Sequence, residues 1–79
     1  MAVKFADGVV RDVLPVGTRV RHREHPSLTG KIVDYEMCQG KVFSTLPYKV
    51  YWDQDDDAFK LLGWFFIYPD PDKLEVIPK

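Results

Sequence analysis

Thr18-Arg19-Val20-Arg21-His22-Arg23 sets Thr18, Val20 and His22 in strict alternation with three arginines. Successive side chains of a strand point to opposite faces, so this period of two predicts a strand over 18–23 with one face toward a core. Upstream, Pro15 and Gly17 set the strand apart from residues 1–14. There Val3, Phe5, Val9, Val10, Val13 and Leu14, around a turn at Asp7-Gly8, predict an arm with room for one extra strand, packed on the domain or on a neighbour. Downstream, Gly30 opens a second strand over 31–37, Gln39-Gly40 reads as a turn, and 41–44 reads as a short strand or wide loop. Tyr48–Trp52 alternates again, with Tyr48, Val50 and Trp52 against Lys49 and Tyr51. Residues 53–62 read as a loop or hairpin tip holding one helical turn around Ala58-Phe59-Lys60-Leu61. An aromatic strand over 64–68, a 3₁₀ turn within 69–73 and a last strand over 74–77 complete the chain. The sum is an all-β chain: an N-terminal arm (1–14) and a single SH3-like barrel (15–79) of about five strands, with a 3₁₀ turn before the last strand.

Bulk properties narrow the function classes. Seventy-nine residues allow one domain and one small core. A net charge of −1 and a pI near 6.0 argue against a broad basic surface for nucleic acid. No run approaches the roughly 18 apolar residues that a membrane span needs. Cys38 is the single cysteine, and residues 1–7 hold no long apolar stretch of the signal-peptide kind, which together predict a reducing, cytoplasmic setting. Arg19, Arg21, Arg23 and Lys31 fall in the first half, and Asp53, Asp55, Asp56 and Asp57 in one later stretch. This segregation suits either self-assembly or two solvated surfaces.

Trp64-Phe65-Phe66-Ile67-Tyr68, closed by Pro69, is large and apolar or aromatic at every position. Read as a strand, it sends Trp64, Phe66 and Tyr68 to one face and Phe65 and Ile67 to the other. Each buried ring removes roughly 150–250 Å² from water, worth several kcal/mol at about 25 cal/mol per Å². One small core takes one of these faces, so the other calls for a partner or ligand. The chain thus points to binding or self-association before any reaction.

Five segments, Gly17-Thr18-Arg19-Val20-Arg21, Gly30-Lys31-Ile32-Val33, Tyr48-Lys49-Val50, Ile67-Tyr68-Pro69 and Leu74-Glu75-Val76-Ile77, carry a family likeness. Over roughly residues 16–77 the chain resembles the plasmid-borne type II dihydrofolate reductases, short SH3-like chains that form homotetramers around a central pore. The resemblance implies NADPH and dihydrofolate as ligands, with Ile67, Tyr68 and His22 at the reactive site. His22 stands where that family has the lysine that attracts its anionic ligands. Phe66 replaces the central glutamine, losing two donors and an acceptor, and Leu28 replaces the tryptophan of the family's dimer interface.

Other chemistry is thinly signalled. Asp53-Gln54-Asp55-Asp56-Asp57 opens like an EF-hand loop, but Ala58 and Trp64 occupy the positions that need Gly and Glu, so it reads as an acidic hairpin tip. His22, His25 and Cys38 lack zinc-ligand spacing, and no metal is expected. His22 reads either as an exposed strand-end residue or as a titrating group on a tetramer axis. Tyr48, Tyr51, Trp52, Trp64, Phe66 and Tyr68 supply enough rings for a cation cage or a proline-rich-peptide groove, against the alternative that most are core. The leading expectation is a self-associating, non-catalytic binding module without a cofactor. Its surface comprises Trp64, Phe66, Ile67 and Tyr68 of the aromatic strand, and a face of Arg19, Arg21, Arg23, Lys31 and His22. A dimer or tetramer, a protein partner or an anionic small molecule are its expected partners. The alternatives are a divergent NADPH-dependent reductase, and a mobile-element accessory protein that inhibits an enzyme or sequesters a nucleotide.

Overall fold

Antiparallel strands carry the chain, as the alternation predicts. The computed structural model describes residues 1–42 and 45–78. Its strands are β1 (Ala2–Lys4), β2 (Val10–Asp12), β3 (Arg19–His22), β4 (Thr29–Tyr35), β5 (Met37–Cys38), β6 (Lys41–Val42), β7 (Tyr48–Trp52) and β8 (Leu74–Val76). One helix, α1 (Asp55–Leu62), follows β7, and the expected 3₁₀ turn, Pro71–Lys73, precedes β8. The main sheet has the order β7-β4-β3-β8, flanked by the β1-β2 and β5-β6 ribbons. Among the described residues no ladder joins β7 to β8, so the paired strands form an open sheet of four.

Register turns the period of two into a core. Val20 lies opposite Gly30 and Val76, Ile32 opposite Val50, and Gly30 opposite Trp52. Val20, His22, Ile32, Val50, Trp52 and Leu74 are buried, while Arg19, Lys31, Lys49 and Tyr51 are exposed. Gly30 is required by proximity: a Cβ there would lie 2.5 Å from the Tyr51 carbonyl oxygen. β4 is shorter than the expected 31–37 strand at its far end, because the chain breaks after Tyr35 into the β5-β6 hairpin. Gln39 (φ 53°) and Gly40 (φ 76°) both take positive φ in that hairpin, as a type I′ turn demands. Of the 41–44 segment, Lys41 and Val42 form β6, and Phe43 and Ser44 lie outside the described residues.

The arm has two strands rather than one and packs on its own domain. Phe5 bridges Val42, and Phe5 and Val13 belong to the same core cluster as Val20 and Trp52. Two phenols fasten its end at Leu14: the Tyr48 hydroxyl accepts the Leu14 N–H at 3.0 Å, and the Tyr35 hydroxyl donates to the Leu14 carbonyl at 2.7 Å.

Two expectations change. The acidic run is not a hairpin tip but the start of α1, whose first turn holds Asp55, Asp56 and Asp57 and whose last turn holds Lys60. Carboxylates at the N-terminus and a cation near the C-terminus complement the helix dipole, so eight residues are helical where one turn was expected. Residues 64–68 do not form a strand. They make successive turns, with Phe66 N–H donating to the Gly63 carbonyl (3.2 Å) and Tyr68 N–H to the Phe65 carbonyl (2.9 Å). Gly63, at φ 80°, and Pro69 bracket the segment and favour this path. It still runs beside β7, since Val50 N–H donates to the Ile67 carbonyl (2.8 Å) and the Trp52 indole N–H to the Phe66 carbonyl (2.6 Å).

Candidate functional site

The end of α1 and the aromatic turns place a set of rings at the surface. Phe59, before the helix stop at Gly63, meets two rings that follow it, Trp64 edge-on at 5.8 Å and Phe66 edge-on at 5.6 Å. Trp64 is 85% exposed and Phe65 73% exposed, whereas Phe66, Ile67 and Tyr68 are half-buried. Phe66 and Ile67 line a hollow of about 200 Å³ with Val33, Val50, Tyr51 and the ends of Lys49 and Asp55. Phe65 and Tyr68 belong to a different surface. With Leu46 they separate two adjoining depressions of about 280 and 270 Å³, the first reaching His22 and Leu62, the second Glu36 and Thr45.

His22 is not exposed, and it shares no face with the arginines. Alternation along β3 puts it on the core side, 4% exposed, while Arg19 and Arg21 point the other way. Its Nδ1 accepts the Glu24 N–H at 3.1 Å, and its ring stands 5.1 Å from that of His25 and 6.2 Å from that of Trp52. Burial pushes the His22 imidazole pKa down, and the nearby His25 pushes in the same direction. The expected Arg/His face therefore does not form.

The arginine side of the sheet is partly self-neutralised. Arg19 grips Asp53 with two bonds of 2.6 and 3.3 Å, and Asp53 also accepts from the Thr29 hydroxyl at 2.7 Å. These two donors hold the Asp53 carboxyl below its ordinary range. Arg21 pairs with Glu75 across the β3-β8 ladder at 2.5 Å and lowers the Glu75 pKa. Arg23 and Lys31 are exposed and join no ion pair among the described residues.

Of the residues singled out from sequence, Tyr68 and His22 therefore border one depression and Phe66 and Ile67 another hollow, while Trp64 stands free against Phe59. The six rings considered for a cage are dispersed: Tyr48 and Trp52 are core, and Tyr51 is on the outer sheet face, 63% exposed. Leu28, at the family's interface-tryptophan position, is buried too. Among the described residues no three His, Cys, Asp or Glu side chains are grouped to hold a metal ion.

Sequence reasoning did not place Phe59, Leu46 or Glu36 at this surface. Phe59 and Trp64 flanking Gly63 were a usable signal, since a helix stopped by that glycine brings the two rings together. Glu36 and Leu46 come from opposite ends of the β5-β6 excursion and carry no local signal. Glu36 has a physical effect on the site: as a hydrogen-bonding partner of the Tyr68 hydroxyl it pushes the Tyr68 phenol pKa up, with burial and the carboxylate's charge adding to the shift. No helix among the described residues is long and apolar enough to cross a membrane. Compared with protein-family models, with curated proteins and with solved structures, the chain finds no match.

Proposed function

We propose that this chain is a small, non-catalytic, self-associating binding module, and that copies meet on the Trp64-Phe65 patch with Phe59 beside it. One observation carries the reading: Trp64 and Phe65, adjacent in sequence, are 85% and 73% exposed. Their rings offer on the order of 300 Å² of apolar surface, more than a third of the roughly 800 Å² per partner in a standard interface. Large exposed apolar surface marks interaction sites in soluble domains where it is contiguous. The non-catalytic reading draws on the burial of His22, which is 4% exposed. The divergent NADPH-dependent reductase draws support only from His22 and Tyr68 sharing a depression; Ile67 lines a separate hollow. Nucleotide capture by the arginines is weakened by the Arg19-Asp53 and Arg21-Glu75 pairs.

Sedimentation equilibrium over a wide concentration range tests the proposal. The parent chain should run above its 9.2 kDa monomer mass at high concentration, and the Trp64→Ser/Phe65→Ser double variant should remain at monomer mass. A monomeric parent throughout refutes self-association. NADPH oxidation with dihydrofolate at pH 5.5 or 7.5 would refute the non-catalytic assignment.

A further inference from the structure

Phe65, next to Trp64 in sequence, also lines a groove with Tyr68. Its two depressions share the wall formed by Leu46, Phe65 and Tyr68, so they adjoin. In an extended peptide, side chains i and i+2 point the same way about 6.5 Å apart, a spacing suited to filling two such neighbours. Each end carries a carboxylate. Asp70 and Lys73 border the first depression, and the Lys73 ammonium is engaged by Glu24. Glu36 borders the second and joins no ion pair among the described residues.

We propose that this groove binds an extended peptide segment of a partner protein carrying two apolar side chains at i and i+2, followed by a basic residue that reaches Glu36. The inference rests on the reading of the chain as a binding module and names the partner's chemistry. The apolar pair enters the depressions on either side of the Phe65-Tyr68 wall. The cation is stabilised by the Glu36 carboxylate in a partly dehydrated setting, where a charge-assisted bond is stronger than one in open water. An acidic residue at the same place meets Glu36 and is rejected, which gives the site selectivity by repulsion as well as attraction.

The test is a nitrogen-15 amide titration of the full chain, at a concentration where sedimentation finds it monomeric. The probes are the capped peptide Leu-Pro-Leu-Pro-Arg and its counterpart ending in Glu. The arginine peptide should give saturable shifts concentrated at the amides of Glu36, Leu46, Phe65 and Tyr68, and the glutamate peptide should bind at least about tenfold more weakly. Glu36→Gln should weaken the arginine peptide roughly fivefold and leave the self-association mass unchanged. Phe65→Ser, a substitution at an exposed position, should weaken it about tenfold. No saturable binding, equal binding of the two peptides, shifts located elsewhere, or indifference to Glu36→Gln would each overturn the proposal. Shifts at the Glu36, Leu46 and Tyr68 amides with chain concentration alone, without peptide, would assign the groove to a second copy and overturn it as well. A monomeric chain that binds the arginine peptide as described would refute self-association and leave the groove standing.

Discussion

Adding one methyl group at Gly30 should remove a large part of this domain's stability. The Cβ of Gly30→Ala would lie 2.5 Å from the Tyr51 carbonyl oxygen, 3.1 Å from the Tyr51 carbonyl carbon and 3.1 Å from the Trp52 Cα, where ordinary contact begins at 3.4 Å. All three atoms are backbone, so no rotamer change relieves the clash, and β4 and β7 must separate by about 0.9 Å at this point. An N–H···O bond of about 2.9 Å stretched by that amount leaves the hydrogen-bonding range. One bond at risk is the 2.8 Å one from Asp53 N–H to the Thr29 carbonyl. Losing it costs about 1 kcal/mol, and overpacking adds roughly 1–3 kcal/mol. Alanine's stiffer unfolded chain returns about 0.4–1 kcal/mol, for a net loss of about 2 kcal/mol. A domain of this length holds only about 4–12 kcal/mol in total. In urea, followed by circular dichroism, the midpoint should fall by roughly 1–2 M with the slope unchanged, and the thermal midpoint by about 8–16 °C. Stability within about 0.5 kcal/mol of the parent would refute the close-approach account of Gly30.

Acid should weaken the fold before its carboxylates titrate. Because the folded His22 imidazole is held below its ordinary value of 6.5, the unfolded chain takes up the proton first. Its contribution is intact above about pH 6.5 and is lost as pH falls through the depressed folded pKa, by at most about 1.4 kcal/mol per pH unit. Urea midpoints from pH 7.5 to 5 should show this slope, and His22→Gln should flatten it. Tyr48→Phe removes the acceptor for the Leu14 N–H and should cost about 1–2 kcal/mol, with faster amide exchange at Leu14 and Val13. Gln39→Asn, which puts the preferred residue before Gly40 in a type I′ turn, should raise stability by up to about 1 kcal/mol in thermal denaturation; a loss of stability would contradict the turn assignment.

Legibility followed how local the causes were. β3 and β7 could be read because alternation and burial coincide residue by residue, as Tyr48, Val50 and Trp52 show. The Gln39-Gly40 turn and the 3₁₀ turn at Pro71–Lys73 could be read from single residues with strong backbone preferences. The aromatic segment could not. Five large side chains give no period, and its turns depend on Gly63, on Pro69 and on two bonds to β7 that only the assembled sheet supplies. The acidic run misled because repeated aspartate marks both a solvated tip and a helix start, and the distinction rests on Ala58 being fully buried. For the candidate site, the apolar surplus was legible and its arrangement was not. Alternation along β3 already separates His22 from Arg19 and Arg21, but which face turns inward is decided by β4 and β8 across the ladders.

The aromatic turns are moored to the sheet through main-chain carbonyls, at Phe66 and Ile67. A mooring of this kind does not read side-chain identity at Trp64 or Phe65, whose rings take no part in either bond. Residues 64 and 65 are therefore positions where natural variation or directed evolution can rewrite what the molecule touches while the anchoring Trp52 indole keeps the loop's path. Sequence libraries randomised at these two positions should return mostly folded proteins with altered partners, a separation of scaffold from specificity within two adjacent residues.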